Sequence, residues 1–456
     1  MIPAARLKVL SDVPVRPEGA RYVLYWMQQS QRAGFNPALE YAVEQANELG
    51  LPVLVAFGLT AFPEANARHY GFMLRGLAET EATLAARGIG FVIRKQPPHA
   101  LARDLSAGAA LVVCDRGYLR IQRGWRARLA NGLARRLVQV EGDVVVPVET
   151  ASGKHEYAAR TLRPKLHRLW DDFLHELRPR GVRHPWRGGR AEGDLDLSGV
   201  GAILRDLKID HAVPEVRRFE PGETAARRRL AAFVDDGLAR YEADRGRPEA
   251  SAVSHLSPYL HFGQISPVEI ALAVRRSGRP AGVATYLEEL IVRRELAANH
   301  AFYEPRYDTY DALPEWARKT LADHAGDERP HLYGRAAFEA AETHDRYWNA
   351  AMREMRATGY MHNRMRMYWG KKILHWSRTP QEAFETALAL NNRWFLDGRD
   401  PNAFTNVGWL FGLHDRPWTP QPVFGTVRSM GQNTLRKFDA DAYVAAVDRL
   451  EALEAG

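Results

Sequence analysis

RYVLYWM (21–27), LPVLVAFGL (51–59), GFVIRK (90–95), ALVVCD (110–115) and RLVQVEGDVVVPV (136–148) are short runs rich in β-branched and aromatic residues. Between them, 37–49, 68–87, 99–107 and 119–134 space their apolar residues as amphipathic helices do. Strands alternating with helices predict a parallel sheet covered on both faces, a doubly wound α/β domain over 21–150. No GxGxxG and no GxxxxGK[ST] follows any of the runs. A dinucleotide fingerprint and a P-loop are therefore excluded, and a ligand of this domain is expected in the crevice beyond the strand C-termini.

Outward from this block, 151–220 holds a basic helical piece, YAARTLRPKLHRLWDDFLHEL, and then RPRGVRHPWRGGRAEGD. The second piece reads as a linker crossing between domains. From 221 to 456 strand signals are scarce. AARRRLAAFVDDGLARYEA places Leu230, Phe233, Val234, Leu238 and Tyr241 at helical spacing, and similar stretches predict an all-α second domain.

Composition narrows the function classes. A chain of 456 residues supports two or three domains. Its 63 Lys and Arg against 55 acidic residues, a formal +8, suit a polyanionic partner without demanding one. Cys114 is the only cysteine, which excludes an internal disulfide, a Cys-based zinc site and an iron–sulfur cluster. The histidines show no metal spacing, and no metal is expected. Without an apolar signal core or an 18-residue uncharged apolar run, a soluble, reducing, cytoplasmic setting away from membranes is expected.

The chemistry concentrates in four places. MHNRMRMYWGKKILHW (361–376) puts Asn363, Arg366, Met367, Trp369 and Lys371–Lys372 within three helical turns, with Arg366 and Trp369 on one face. Taken one at a time, its tryptophans are ordinary core anchors. LDGRDPN (396–402) offers Asp397, Arg399, Asp400 and Asn402 around a Gly turn and a Pro turn; a buried carboxylate there needs a cation, either Arg366 or Arg399. SHLSPYLHFGQIS (254–266) has Ser254 and Ser257 at a helix start, suited equally to phosphate binding and to capping. In EELIVRRELA (288–297), Glu289 four residues before Arg293 reads, on its own, as an intrahelical ion pair.

Together with THDRYWNAAM (343–352), these motifs occur in the order and at roughly the spacing of the photolyase/cryptochrome family, which the chain resembles from about residue 21 to FDADAY near 438. YWMQQSQR (25–32), YAARTLRPKL (157–166) and MYWGKKILHW resemble the class II cyclobutane pyrimidine dimer photolyases within it. The resemblance implies a Rossmann-like α/β domain, an all-α FAD-binding domain, and light-driven repair by electron transfer from reduced FADH⁻ to a flipped pyrimidine dimer in UV-damaged DNA. It implies a monomer, and an antenna chromophore, deazaflavin or folate, that no motif here selects.

By the same resemblance, Tyr241, Val253, Ser254, His255, Leu256 and Ser257 contact the phosphate and sugar portion of FAD, assisted by Arg293 or Arg294. Arg366 and Asp397 form an ion pair beside the flavin ring. Arg399, Asn349 and Asp400 are further contacts. Asn391 faces the flavin N5, with Asn402 as the second candidate. Glu289 hydrogen-bonds the dimer, and Asn363, Met367 and Trp409 pack against it. Trp369, Trp348 and Trp376 form the chain that reduces resting flavin. The sequence departs from the class in MHN rather than MHG at Asn363, in Asn391–Asn392 where Asn–Asp is common, in Gly246–Arg247–Pro248, and in AFTNVGW. Three rival readings exist: a cryptochrome-like photoreceptor without repair, repair of the pyrimidine–pyrimidone lesion through His255 or His362, and a plain nucleic-acid binder. Glu289 and Trp409 favour dimer repair over the first.

Overall fold

The computed structural model describes residues 2–191 and 193–455. Six strands form one sheet: β1 (Leu7–Ser11), β2 (Tyr22–Trp26), β3 (Val53–Gly58), β4 (Gly90–Arg94), β5 (Ala109–Asp115) and β6 (Leu137–Val140). Their order is β1-β6-β5-β2-β3-β4, with every pair parallel except β1 on β6. β2, β3 and β5 are buried at every position, which is why they read as continuous apolar runs rather than alternating ones. The helices between them, α1 (Pro37–Leu49), α2 (Ala67–Ala86), α3 (Pro98–Ser106) and α4 (Arg120–Ala130), fall where periodicity predicts. α1 shows why its ends lie there: the Asn36 side chain accepts from the Ala38 and Leu39 amides, Pro37 opens the helix, and Gly50 closes it at φ +70°.

Two strand expectations need correction. β1 lies before residue 21 and carries no apolar alternation strong enough to announce it; it exists because β6 offers an open edge. The run 136–148 pairs only over Leu137–Val140. Beyond it the backbone turns to side chains: Arg6 donates to the carbonyls of Glu141, Val144 and Val145, and the Glu295 carboxylate accepts from the Val145 and Val146 amides.

The missing phosphate fingerprint has a structural counterpart. Where β2 ends, the successive amides of Gln28, Gln29 and Ser30 donate to the carboxylate of Asp115 at the end of β5. This nest of N–H groups at the switch point of the sheet is filled by the protein's own anion. Burial, and then the charge of Asp143, lift Asp115 to about 6.

The segment after residue 151 is laid onto both layers. Helix Ala159–Leu169 faces the helical half, where Arg163 pairs with Glu288 at 2.7 Å. The Pro/Gly/Arg-rich stretch, expected as a linker, runs back along the sheet layer: Trp186 packs on Tyr22, Leu195 donates to the Ile93 carbonyl, and Leu197, Val200, Leu204 and Leu207 join the sheet's core. After β6 no further named strand occurs among the described residues. The helices from Glu223 onward enclose two apolar cores, one around Trp348, Trp369 and Trp376, the other around Phe233, Tyr241 and Tyr286.

Candidate active site

The helical half contains two adjoining chambers with a common wall of Glu289, Asn363, Arg366 and Asn406. The first spans about 920 Å³, part of it open to solvent, and is lined by Ser254, Leu256, Ser257, Tyr286, Arg294, Tyr360, Asp397, Asp400 and Asn402 among others. The second spans about 1670 Å³, part of it open to solvent, and is lined by Met367, Trp369, Asn391, Trp409, Arg293 and His414 among others. Five arginines (Arg245, Arg293, Arg364, Arg366 and Arg428) face the second chamber against two acids, Glu289 and Asp415, so its field favours an anionic guest.

The central pair forms as the sequence suggests. The Arg366 Nη2 lies 2.9 and 3.0 Å from the two Asp397 oxygens, while its Nε donates to the Met361 carbonyl and its guanidinium lies 3.8 Å from the centroid of the Phe395 ring. Helix Asn363–Trp376 carries Arg366, capped by the His362 ring, which accepts from the Arg364 amide. Asp397 stands in the loop between helices Pro380–Trp394 and Pro401–Leu410. The two oxygens and the fixed guanidinium give a polar edge that complements a flat heterocycle carrying N–H and carbonyl groups. The other proposed cation for Asp397, Arg399, takes no part. With φ +66° it turns away, its Nη2 lies 3.3 Å from the His261 ring, and it lines a separate cavity. Burial holds its pKa at about 10.

The hydroxyl motif also departs from capping. Ser257 opens the short helix Ser257–His261, yet no side chain caps that helix. Ser254 Oγ instead accepts from the Tyr286 hydroxyl at 3.1 Å, and both serines face the first chamber. Tyr241 is packed on Tyr286 and Phe233, and burial followed by the charge of Glu289 raises it to about 12. His255 adopts φ +52° and packs between Phe219 and Tyr360, behind the chamber wall. Val253 packs on the same core, and Asn349 binds Thr343; neither lines a chamber. Asp400 accepts from the Ala403 amide as a helix cap, with its side chain at the wall between the first chamber and the separate cavity.

Glu289 does not pair with Arg293. Residues Glu288–Arg293 form a π-helical turn, and within it Glu288 takes Arg293 (3.1 Å) while Glu289 reaches Arg245 (2.7 Å). A π-turn breaks the i,i+4 register on which the intrahelical reading depends, and it leaves Glu289 projecting into both chambers. Arg245 is thus a site residue that sequence reasoning missed; its only local signal was its place beside Gly246, whose carbonyl accepts from Arg364. Tyr286, Tyr360 and Arg428 were missed for the same reason.

The tryptophans are joined through packing. Trp369 lines the second chamber, the Trp348 indole donates to the Trp369 carbonyl at 2.9 Å, and the rings of Trp348 and Trp376 are 6.1 Å apart. Trp369 Nε1 is buried with no partner among the described residues. Asn391 lines the same chamber as Trp369 and donates to Asn392 at 3.0 Å, whereas Asn402 faces the first chamber. At the far wall the buried ammonium of Lys371 sits 5.1 Å from the centroid of the Trp409 ring, and desolvation brings it down to about 7.

The separate cavity, of about 820 Å³, lies beyond the ends of β2 and β3. It is walled by Phe57, Leu59, Phe62, Trp125 and Phe262, with Gln28, Gln31 and Arg399 as polar groups. This is the crevice position expected for a ligand of the α/β layer.

An α/β layer joined to a helical module with two communicating chambers defines the photolyase–cryptochrome class of fold. Among solved structures, a class III photolyase from Agrobacterium tumefaciens superposes with a TM-score of 0.70 at 22% identity, covering 94% of this chain and 86% of that one. A cryptochrome from Synechocystis sp. PCC6803 gives 0.69 at 14% identity, over 95% of this chain and 88% of that one. At such identities the likeness concerns the fold alone. Sequence goes further: residues 23–182 match the DNA photolyase family model. The deoxyribodipyrimidine photo-lyase of Methanothermobacter thermautotrophicus is 44% identical over 458 residues, 99% of both chains. Those of Oryza sativa subsp. japonica and Potorous tridactylus are 42% identical (98% of this chain, 91% of that one) and 38% identical (95% and 82%). The chain belongs to the DNA photolyase family.

Proposed function

We propose that this protein splits cyclobutane pyrimidine dimers in DNA using light. The observation that carries the reading is the common wall of the two chambers, to which both the Glu289 carboxylate and Arg366, paired with Asp397, belong. One chamber suits a cofactor and the other a lesion, and only a shared wall lets the two come close enough for electron transfer.

The residues present fit FAD. The first chamber offers hydroxyls at Ser254 and Ser257 and a cation at Arg294 for a phosphate-bearing moiety, and the ion pair offers a seat for the ring. When bound in its fully reduced form, FAD supplies the photoexcited electron that opens the cyclobutane ring. Arg366 and Asp397 orient the ring edge; of the two asparagines expected near the ring, Asn402 shares the chamber of that pair and Asn391 stands across the common wall. Trp376, Trp348 and Trp369 relay an electron inward to bring resting enzyme to the active state.

Glu289 hydrogen-bonds the dimer and steadies the charge that develops on it. Trp409 and Met367 pack against the lesion, and Asn363 lies between the two chambers. A dimer inside a duplex cannot reach this chamber, so it is flipped out; the damaged stack lowers the cost of doing so. Arg293, Arg364 and Arg428, on the same chamber, are the cations placed to hold the flanking phosphates. Identity of 38–44% over nearly the whole length to the archaeal, plant and marsupial enzymes, against 27% to the Thermus thermophilus enzymes, supports placement with the class II enzymes. The cavity beside β2 and β3 supports a planar antenna chromophore, whose release and identification would tell deazaflavin from folate.

Purified protein should show flavin absorbance and should restore thymine-dimer DNA under near-UV or blue light. Absence of flavin would overturn the proposal, and flavin without repair would favour a photoreceptor.

A further inference from the structure

Three histidines far apart in sequence meet beside the second chamber. His155 follows helix Val148–Ala151, His300 lies on helix Arg294–Tyr303, and His414 lies beyond helix Pro401–Leu410 with a left-handed backbone at φ +58°. One ring nitrogen from each lies within 4.8 Å of the other two, and His300 Nδ1 is 3.0 Å from His155 Nε2. Two ligands about 2.0–2.1 Å from a tetrahedral ion are about 3.3 Å apart, so this hydrogen-bonded pair needs to open by only about 0.3 Å to become a coordination edge.

The cluster is held in place from outside. Asn299, next to His300, accepts from the Glu156 amide at 2.8 Å and donates to the Lys154 carbonyl at 3.0 Å, gripping the backbone on both sides of His155. The Tyr303 hydroxyl donates to the Ser152 carbonyl at 2.7 Å. Such outer contacts resemble the support that fixes ligand rings around metals. The polar capacity of the cluster is nevertheless only partly spent. His300 is fully buried, and no well-formed hydrogen bond reaches Nε2 of His300 or of His414 among the described residues. Buried polar atoms are rarely left so without a ligand.

We infer that His155, His300 and His414 form a binding site for one borderline transition-metal dication of the zinc type, with three imidazole ligands and one position open. The ion would tie together the segment after β6, the helix that continues the π-turn of Glu289, and the loop that ends beside Trp409. Its work is thus to rigidify one wall of the second chamber.

The test uses tag-free, flavin-loaded protein stripped with a chelator and titrated with zinc chloride. One equivalent should bind, X-ray absorption should find three imidazole nitrogens at about 2.0 Å, and thermal unfolding should move upward. His155→Gln, with flavin content and circular dichroism as checks of folding, should weaken zinc binding more than about tenfold and abolish the thermal shift. His414→Ala should do the same. Stoichiometric binding that both variants retain, or no binding by the parent protein beyond that of His155→Gln, would overturn the site.

Discussion

Arg366 and Asp397 stand 31 positions apart in the chain, yet the Arg366 Nη2 lies 2.9 and 3.0 Å from the two Asp397 oxygens at the edge of the first chamber. Breaking such a pair leaves an unpartnered charge in a largely buried place, a loss of about 3 kcal/mol or more. Asp397→Asn should therefore purify with little flavin, read as the ratio of visible to protein absorbance, and should unfold at a lower temperature. A variant that keeps full flavin content would remove the pair from the cofactor site.

Glu289 is held by Arg245 at 2.7 Å and faces both chambers. Glu289→Gln keeps the shape and removes the charge from one hydrogen bond, worth about 1–2 kcal/mol. Ring splitting should slow on the order of tenfold, with flavin content and affinity for damaged DNA little changed. Unaltered repair yield under single flashes would contradict the role given to it.

Trp369 lines the second chamber, and its carbonyl accepts from the Trp348 indole. Trp369→Phe should abolish photoreduction of oxidised enzyme, followed by visible absorbance under illumination. Repair should persist when the flavin is reduced chemically beforehand. Equal loss of both activities with flavin still bound would refute the separation.

Acid should destabilise the fold through histidines held neutral. Burial, followed by Arg218 and Arg229, lowers His255 to about 3, and burial with Arg364 lowers His362 to about 4. The unfolded chain takes up these protons near pH 6.5, so between about pH 6.5 and 4 it binds more protons than the native state. Stability is thus full above 6.5 and falls as the pH is lowered, by about 1.4 kcal/mol per unit for each ring. Protonation of His362 also removes the acceptor that caps helix Asn363–Trp376. Chemical denaturation at pH 7, 6 and 5, compared between the parent protein and His362→Gln, measures this contribution against the opposing one of Asp115; equal slopes in the two proteins would exclude it.

Much of the architecture was legible before any coordinates. The apolar runs at 21–27, 51–59, 90–95 and 110–115 are strands because both faces of a parallel sheet are covered, and helix Asn363–Trp376 is visible in its periodicity and its break at Gly359. β1 was not legible, since a partly exposed edge strand needs only a neighbour's free edge and imposes little pattern of its own. The true length of β6 was hidden as well. Val144–Val146 are apolar like a strand, and only the distant Arg6 and Glu295 draw their backbone away from the sheet.

At the candidate site, the residue types and their order along the chain came from the sequence by itself: an arginine on a Trp-bearing helix, an Asp–Gly turn, a glutamate in an arginine-rich helix, a serine pair before proline. Periodicity carries such information because a helix places residues three or four apart on one face. Which cation meets Asp397, whether Glu289 turns to Arg293 or Arg245, which way Arg399 faces and whether three scattered histidines meet were decided only in the tertiary structure. Each depends on a π-turn, a left-handed residue or a contact across more than a hundred positions, and local propensity is silent about all three.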